Sequence, residues 1–392
     1  MSIILDKPDA QLSEIILQLN ISNEIHLNCI YNPGAHLSIE KDGNSASITY
    51  DRRVELFRGI GLLAEHAQEE EYRTVQPAHF KMVGVMLDCS RNGVMKPDVV
   101  KKFIRYMALM GLDTIMLYTR DTYEVPEYPY FGYMRGRYSQ KELKELDDYA
   151  YSYGVEMIPC IQTLAHLEDA FRWPCFNEVK DCDNILLCGE DKTYDLIEAM
   201  IRTWRNCFRT KRIHLGMDEA HMMGLGKYLD RNGFRRREVI FCEHLQRVND
   251  ICKKYNFKPM IWSDMFFHLV GEDKKLPPEI LRQVPEGVEL VYWDYSPKEQ
   301  KHYDENITAH KQFQNNKTAY AAAVWTCTGY APNLRLSLDA ADAAMRSVRE
   351  NGIETVLVTM WGDDGKDCSY FAGLSGLFAA AQMAKGNFDR QD

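Results

Sequence analysis

Short apolar runs recur along the chain from Phe80 onward, and each is followed by loop residues and then by a segment of helical periodicity. Continuous apolar runs of this length are typical of strands that are buried on both faces. The runs cover residues 83–89, 114–119, 156–162, 212–216, 259–264, 289–294, 320–326 and 355–362. Because strands and helices alternate, the pattern predicts an α/β fold, a (β/α)8 TIM barrel.

The helical segments between the runs carry their own start and stop signals. Residues 96–111 and 139–154 each begin near a helix-start residue and end on Gly, a residue that is common directly after helices. A doubly wound open sheet is the alternative fold, but it usually has a Gly-rich first turn of the form GxGxxG. The first turn here, DCSRNGV, lacks that pattern.

The region before the barrel has a different pattern. The pieces EIHLNCIY, HLSIEK and SASITY have strand propensity, and the helical run VELFRGIGLLAEHAQEE follows them. We therefore predict two domains, a small N-terminal α+β domain over residues 1–78 and a catalytic barrel over residues 79–392.

Composition and charge limit the binding partners and the cellular compartment that we expect for this protein. The chain has 392 residues and a net charge of -10 with both signs mixed along it, which disfavours nucleic acid as a partner. No run approaches the ~20 apolar residues of a membrane span, and the N-terminus lacks the basic region of a signal peptide. Eleven scattered cysteines predict reduced thiols and a cytoplasmic location, and the lack of a CxxC pair argues against a zinc site. We expect neither a metal nor a cofactor.

Polar and aromatic side chains stand at the ends of the predicted strands, where barrel enzymes place their catalytic groups. Taken singly, such a Trp is often packing, an Asp often a helix cap, and a His often structural. Together, indoles and carboxylates at one mouth are typical of a sugar site. These strand-end residues are Asp88, Arg91, Tyr118, Asp121, Gln162, His166, His214, Asp218, Glu219, Trp262, Asp264, Trp293, Asp294, Trp325, Trp361, Asp363 and Asp364.

Three motifs carry a resemblance to a known family. His214-Leu-Gly-Met-Asp-Glu219 resembles the H-x-G-x-D-E signature of the glycoside hydrolase family 20 β-N-acetylhexosaminidases. GVMLDCSRN on the first predicted strand resembles the family's GxxLDxxR, and the late MWGDDG resembles its W-S/G-E/D pattern. The resemblance runs from about Phe80 to Gly376 and implies a barrel glycosidase that removes terminal GlcNAc, or GalNAc, from a glycan or glycoconjugate.

The resemblance also implies a division of labour between the adjacent acids. In this family the substrate's own 2-acetamido oxygen attacks the anomeric carbon, so the enzyme supplies no nucleophile. Asp218 would orient the acetamido group and stabilise its charge, and Glu219 would protonate the leaving oxygen. Successive side chains leave an extended strand in different directions, which would allow neighbours to perform both tasks.

The remaining candidates have supporting roles. By resemblance, Arg91 and Asp363 bind sugar hydroxyls, Trp262, Trp293 and Trp361 surround the N-acetyl methyl group, and His166 and His214 support the acids by hydrogen bonding. Asp121 and Trp325 are further strand-end candidates for binding substrate. Tyr295 and Tyr330 are equal candidates for the Tyr that bonds the acetamido oxygen.

Two departures from the family pattern fall close to the acids. Met217 stands where many relatives have a second Gly. Gln162 stands four residues before His166, where many relatives carry an Asp that orients this histidine.

Two other functions remain open from the residues alone. A metal-dependent amidohydrolase would also use His and Asp at strand ends, although neither HExxH nor an early HxH pair occurs. A sugar-binding protein without catalysis is the third possibility, but such a protein would not need a general acid.

Overall fold

The computed structural model describes residues 3–19, 21, 23–269, 274–363, 365–386 and 388, so the strand-end candidate Asp364 lies outside the described residues. The strands are β1 (Ile3–Leu5), β2 (Ile25–Tyr31), β3 (Leu37–Asp42), β4 (Ser45–Tyr50), β5 (Glu71–Gln76), β6 (Met82–Asp88), β7 (Thr114–Tyr118), β8 (Glu156–Cys160), β9 (Lys180–Cys182), β10 (Ile185–Leu186), β11 (Arg212–His214), β12 (Lys258–Trp262), β13 (Glu289–Trp293), β14 (Thr318–Ala323) and β15 (Thr355–Met360). The helices are α1 (Ala10–Gln18), α2 (Arg53–Glu65), α3 (Pro97–Met110), α4 (Gln140–Ser152), α5 (Glu168–Phe171), α6 (Asp191–Cys207), α7 (Lys227–Asn232), α8 (Arg237–Lys254), α9 (Asp264–His268), α10 (Pro278–Leu281), α11 (Gln300–His310), α12 (Leu334–Glu350) and α13 (Leu374–Ala384).

Eight parallel strands of the described chain close into one barrel. Their order is β6, β7, β8, β11, β12, β13, β14 and β15, and β15 pairs back onto β6. Each strand coincides with one of the eight apolar runs, so the predicted TIM barrel is confirmed. Helices cover the outside and side chains fill the inside, which explains why these runs do not alternate between apolar and polar residues.

The inside of the barrel is filled by methionine, small and aromatic side chains. Met86, Met116 and Met260 pack there with Trp262, which is 1% exposed. Buried side chains interdigitate with few voids, so the interior of the barrel is filled beneath the C-terminal ends of the strands.

The predicted runs extend past the observed strands at their C-terminal ends. The third run reaches residue 162, for example, whereas β8 ends at Cys160. Ladder pairing stops where the backbone turns and directs polar side chains toward the mouth, so the overrun falls on residues of the candidate site.

The predicted helix signals are present in the structure. α3 ends at Gly111, whose φ of 73° is accessible to glycine at little cost. α4 begins after Ser139, whose hydroxyl accepts a hydrogen bond from the Glu142 amide while the Glu142 carboxylate bonds back to Ser139.

The first five strands form a separate mixed sheet in the order β1, β2, β4, β3, β5. α2 packs against β3 and β4 of this sheet and also against α3 of the barrel. The sheet therefore lies on the outside of the barrel, away from the strand ends that form the candidate site.

Among the described helices, none combines the length and the apolar composition that a membrane crossing requires.

Candidate active site

A cavity of 340 Å³ opens at the C-terminal ends of the barrel strands. Side chains that are far apart in the sequence meet there, and the lining combines carboxylates, a guanidinium and four indoles. The lining residues are Arg91, Tyr118, Asp218, Glu219, Trp262, Trp293, Tyr295, Trp325, Cys327, Thr328, Trp361 and Asp363. Such a mixture of apolar walls and a few polar groups is typical of a small-molecule site.

Asp218 and Glu219 lie on a turn. β11 ends at His214, and φ is positive at Gly216 (71°), Met217 (72°) and Glu219 (51°). The left-handed conformation is unfavourable for residues with a side chain, by roughly 1–2 kcal/mol each. The expectation that an extended strand separates the two acids is therefore wrong, and this strained turn separates them instead.

Gln162 holds the turn and the Asp218 carboxylate together. Its amide Nε2 donates to Asp218 Oδ1 at 2.7 Å and contacts the Tyr118 hydroxyl at 2.9 Å, while its Oε1 accepts from the Met217 amide at 3.2 Å. Burial raises the pKa of Asp218, but hydrogen bonding to His166 and Gln162 outweighs it and lowers the pKa below the usual value. Asp218 is therefore ionised at neutral pH.

Glu219 is anchored by its backbone and exposed at its carboxylate. Its amide donates to Asp264 Oδ2 at 3.0 Å, whereas 45% of its side chain is exposed. The backbone is thus fixed while the carboxyl group remains accessible to a ligand and to water.

His166 approaches both acids with one ring nitrogen and an arginine with the other. Its Nε2 lies 3.2 Å from Asp218 Oδ2 and 3.5 Å from Glu219 Oε2, and its Nδ1 lies 3.2 Å from Nη2 of Arg120. Arg120 is also paired with Glu168 at 2.5 Å.

Asp218 and Arg120 shift the pKa of this histidine in opposite directions. Burial and the Arg120 charge lower the pKa of His166, but the hydrogen bond and the charge of Asp218 outweigh them, so its pKa lies above the usual value. A guanidinium has only donors, so its contact with Nδ1 favours a lone pair on Nδ1 and a proton on Nε2, the nitrogen that approaches the two acids. With Gln162 bonded to Asp218, no carboxylate–histidine relay through residue 162 forms.

Arg91 is placed by two carboxylates. Its Nη1 lies 2.7 Å from Asp88 Oδ2 and 2.8 Å from Asp363 Oδ1. Burial raises the pKa of Asp88, but the Arg91 charge and the Ser90 hydrogen bonds outweigh it and keep the pKa low. The guanidinium retains further N–H groups for sugar hydroxyls.

Aromatic rings form the walls of the cavity. The Trp262 and Trp361 ring centroids are 6.1 Å apart, and Tyr118 meets Trp361 edge-on at 4.9 Å. Trp293 and Tyr295 stack at 5.3 Å. These contacts hold the ring faces in place, as stacking on a sugar requires.

Several sequence candidates lie outside this lining. Asp121 is 1% exposed and paired with Arg135 at 3.3 Å, so we correct its assignment from substrate binding to structural support. Tyr330 is 85% exposed and also lies outside the lining, so of the two candidate tyrosines only Tyr295 lines the cavity. His214 lies behind Trp262 with ring centroids 4.4 Å apart, and burial lowers its pKa to about 3, so it is neutral.

Sequence reasoning missed three supports of the acids. Arg120 was not singled out, whereas Gln162 and Asp264 were noted as strand-end residues, and Gln162 also as a departure from the family pattern, without a supporting role for either. Each stands two residues after a barrel strand, which is the one signal that could have identified them. Their partners could not be inferred, because the contacts join distant parts of the chain.

One group of side chains could also hold a metal ion. Within the described residues, ligand atoms of His166, Asp218 and Glu219 all lie within 4.8 Å of one another. The Arg120 guanidinium beside His166 disfavours a cation there, because it adds a positive charge to the same cluster.

Comparison with known proteins points to one family. A sequence profile described as "Glycosyl hydrolase family 20, catalytic domain" matches residues 80–320. Human "Hexosaminidase D" is 27% identical over 186 residues, which cover 43% of this chain and 37% of that protein. The matched region thus spans well under half the length of this curated relative.

Solved structures share the fold. The β-N-acetylhexosaminidase of Bacteroides fragilis NCTC 9343 superposes with a TM-score of 0.74 at 17% identity, covering 97% of this chain and 85% of that one. The exo β-N-acetylglucosaminidase of Vibrio harveyi, solved in complex with N-acetylglucosamine, has a TM-score of 0.73 at 14% identity, covering 99% and 70%.

Proposed function

Because the chain belongs to glycosyl hydrolase family 20, we propose that it is an exo-acting, retaining β-N-acetylhexosaminidase. It removes terminal β-linked GlcNAc, with GalNAc as the second candidate sugar. One observation carries the proposal: Asp218, whose carboxylate is largely buried, and Glu219, whose carboxylate is accessible, both line a cavity walled by indoles. The name of the human relative and the sugar in the Vibrio harveyi complex support the same substrate class.

The proposed reaction is substrate-assisted. The 2-acetamido oxygen attacks the anomeric carbon, the bond to the leaving oxygen breaks, and an oxazolinium intermediate forms that water then opens. Asp218, ionised and oriented by Gln162, bonds the acetamido N–H and stabilises the positive charge that develops there. Glu219 donates the proton to the leaving oxygen and then accepts one from the attacking water.

The other lining residues position the sugar. Arg91 and Asp363 bind ring hydroxyls, Tyr295 donates its hydroxyl to the acetamido oxygen, and Trp262 and Trp361 enclose the acetamido methyl group. Holding the acetamide beneath the ring places its oxygen close to the anomeric carbon before reaction, which lowers the entropic part of the barrier.

The first experiment measures hydrolysis of 4-nitrophenyl β-GlcNAc and β-GalNAc. We expect turnover of at least the first substrate, strong inhibition by a thiazoline analogue of the oxazolinium, and no effect of EDTA. Loss of activity with EDTA would favour the metal-dependent amidohydrolase, for which the cluster of His166, Asp218 and Glu219 is the specific observation. Sugar binding without turnover would favour the non-catalytic binding protein.

Two substitutions separate the proposed roles of the acids. Asp218→Asn should lower kcat on the activated aryl glycoside by about two to three orders of magnitude, because it removes an electrostatic partner of the transition state. Glu219→Gln should impair substrates with poor leaving groups far more than the aryl glycoside, since nitrophenolate departs without a proton. Glu243→Gln, at an exposed ion pair with Arg235, is the matched control and should change neither rate.

Two outcomes would contradict these roles. Normal turnover by Asp218→Asn would refute its assignment, and an equal loss on all substrates in Glu219→Gln would deny Glu219 the role of acid. A trapped covalent glycosyl-enzyme would exclude the substrate-assisted route.

We further propose a cytoplasmic location. The eleven cysteines all lie in the described part of the chain, and no disulfide joins any of them there. Reduced thiols are typical of a reducing compartment. Fractionation of the source cells with an antibody against the chain tests this location directly.

A further inference from the structure

Asparagine is followed directly by glycine at three places in the sequence, residues 92–93, 232–233 and 351–352. In such a pair the backbone nitrogen of the glycine can attack the side-chain carbonyl carbon of the asparagine, because glycine has no Cβ to obstruct the approach. In a folded protein the reaction also requires that both groups are free to move. The first pair directly follows Arg91 of the candidate active site.

The second pair is held by hydrogen bonds at both reacting groups. Asn232 Nδ2 donates to the Tyr228 carbonyl at 3.1 Å. The Gly233 amide donates to the Leu229 carbonyl at 2.9 Å. Asn232 is exposed, so water reaches this pair, but both bonds must break before the nitrogen can meet the carbon.

The third pair is held by more contacts. Asn351 Nδ2 donates to Asp304 Oδ1 at 3.0 Å, and Asn351 Oδ1 accepts from the Lys311 ammonium at 2.8 Å. The Gly352 amide donates to the Arg349 carbonyl at 3.1 Å. Both ends of the carboxamide and the attacking nitrogen are thus engaged, so we expect this pair to be resistant.

The first pair differs from both of the others. Within the described residues, neither the Asn92 carboxamide nor the Gly93 amide forms a hydrogen bond. Asn92 is exposed, and its φ of 58° lies in the left-handed region, which asparagine adopts more readily than most residues. In this part of the described chain both reacting groups are therefore free, and water has access to them.

Packing against Lys366 requires glycine at position 93. A Cβ built there would lie 2.7 Å from Lys366 Cγ and 3.3 Å from the Asp88 carbonyl oxygen. Contacts this short force neighbouring atoms to move, which is unfavourable in a packed turn. A larger residue would slow the attack but would disturb the turn that carries Arg91, so the labile pair is a consequence of the packing.

We propose that Asn92 is a site of spontaneous deamidation in the native protein, with water as the only co-reactant. The Gly93 nitrogen loses its proton and bonds to Asn92 Cγ, the bond between Cγ and Nδ2 breaks, and ammonia leaves. The product is a cyclic succinimide. Water then opens this ring at either carbonyl carbon, which gives aspartate or isoaspartate at position 92.

Either product changes the surroundings of Arg91. Its guanidinium is held by Asp88 at 2.7 Å and by Asp363 at 2.8 Å. Aspartate adds a further carboxylate to the same turn, and isoaspartate inserts a methylene group into the main chain directly after Arg91. Because we propose that Arg91 binds ring hydroxyls, we expect KM to rise. This consequence rests on the proposed function, whereas the modification itself does not.

The first experiment follows deamidation in the folded wild type. The full chain is incubated at mildly alkaline pH below its unfolding temperature, and mass spectrometry of proteolytic peptides measures the replacement of NH2 by OH. We expect Asn92 to convert at least about tenfold faster than Asn232 or Asn351, because their hydrogen bonds must break first. In urea the three pairs should convert at similar rates, since no native hydrogen bonds remain.

A blocked variant links the modification to activity. Asn92→Gln keeps a carboxamide but would have to close a larger and slower-forming ring, so its kcat/KM on 4-nitrophenyl β-GlcNAc should stay constant while that of the wild type declines. Asn232→Gln, which removes the other exposed pair, is the matched control and should decline as the wild type does. Asn92→Asp, which supplies one product, should have a raised KM before incubation.

The outcomes separate this proposal from the proposed function. Conversion of Asn92 no faster than that of the other two pairs would overturn the deamidation site, whatever the enzyme hydrolyses. Conversion at Asn92 with an unchanged KM would refute the effect on Arg91. A lack of initial activity on the aryl glycoside would contradict the proposed function, and the mass measurement would still decide whether Asn92 reacts.

Discussion

Asp264 accepts a hydrogen bond from the backbone of the turn that carries the two acids, and the pKa of its own carboxyl group is shifted. Burial, together with the nearby negative charge of Asp218, raises the pKa of the Asp264 carboxyl to about 7. Its Oδ2 holds the Glu219 amide, so the group couples protonation to the backbone of the proposed acid.

We predict that Asp264 makes the stability of the protein fall between about pH 4 and pH 7. The unfolded chain loses this proton near pH 4 and the folded chain only near pH 7, so the stabilisation is complete below the lower value and is lost as pH rises through the higher one. Asp264→Asn keeps the acceptor oxygen and cannot ionise. It should remove this pH-dependent change in the free energy of unfolding, which amounts to up to about 4 kcal/mol.

Urea unfolding of the wild type and Asp264→Asn across this range checks the slope. The two proteins should have similar free energies of unfolding at the acidic end, where the native carboxyl is protonated, and should diverge toward neutral pH. Parallel curves over the whole range would contradict the assigned ionisation.

The turn between β11 and the acids depends on one glycine for its shape. A Cβ built on Gly216 would lie 2.0 Å from Gln162 Oε1, the side chain that holds Met217 and Asp218. Gly352, after α12, has the same φ of 71° but no neighbour within 4 Å of such a Cβ. The two glycines therefore share a backbone conformation and differ in the space available.

We predict that Gly216→Ala lowers kcat/KM by about two orders of magnitude, because Gln162 must move and release Asp218. Gly352→Ala is the matched control: it should lose about 1–2 kcal/mol of stability from the left-handed backbone and retain full activity. Urea unfolding and steady-state kinetics measure both. Equal activity in the two variants would show that Gln162 does not organise the turn.

The N-terminal unit and the barrel are joined by a part-buried polar contact at Glu14 of α1, whose side chain is 40% exposed. Its carboxylate accepts hydrogen bonds from Tyr153, which directly follows α4, at 2.5 Å and from Arg105 of α3 at 3.0 Å. A second link is the Arg52–Asp113 pair at 2.6 Å. Both contacts lie on the outside of the barrel, away from the cavity mouth.

We predict that Glu14→Ala lowers the free energy of unfolding by about 1–3 kcal/mol and leaves kcat/KM unchanged, because it leaves the buried Tyr153 hydroxyl without this acceptor. Glu24→Ala, whose carboxylate is 51% exposed beside His26, is the control and should have little effect. If Glu14→Ala lowered activity although the protein remained fully folded, the contacts of the N-terminal unit would have to influence the active site.

Local sequence patterns located the main elements and the neighbourhood of the site. The apolar runs identified all eight barrel strands, because burial on both faces imposes the same composition wherever such a strand occurs. Strand ends identified Arg91, Trp262 and Trp361 as candidates, because closing a parallel barrel brings all the C-terminal strand ends to one rim.

The sequence by itself thus determined the barrel and the location of the candidate site residues at the C-terminal ends of its strands. Only the tertiary structure decided which rim residues face the cavity, excluding Asp121 and Tyr330, and how the two acids diverge. The reason is physical: periodicity is a local property, whereas the Gln162–Asp218 bond joins residues 56 positions apart. The positive φ at Met217 and Glu219 persists because the closed barrel supplies contacts that offset its strain.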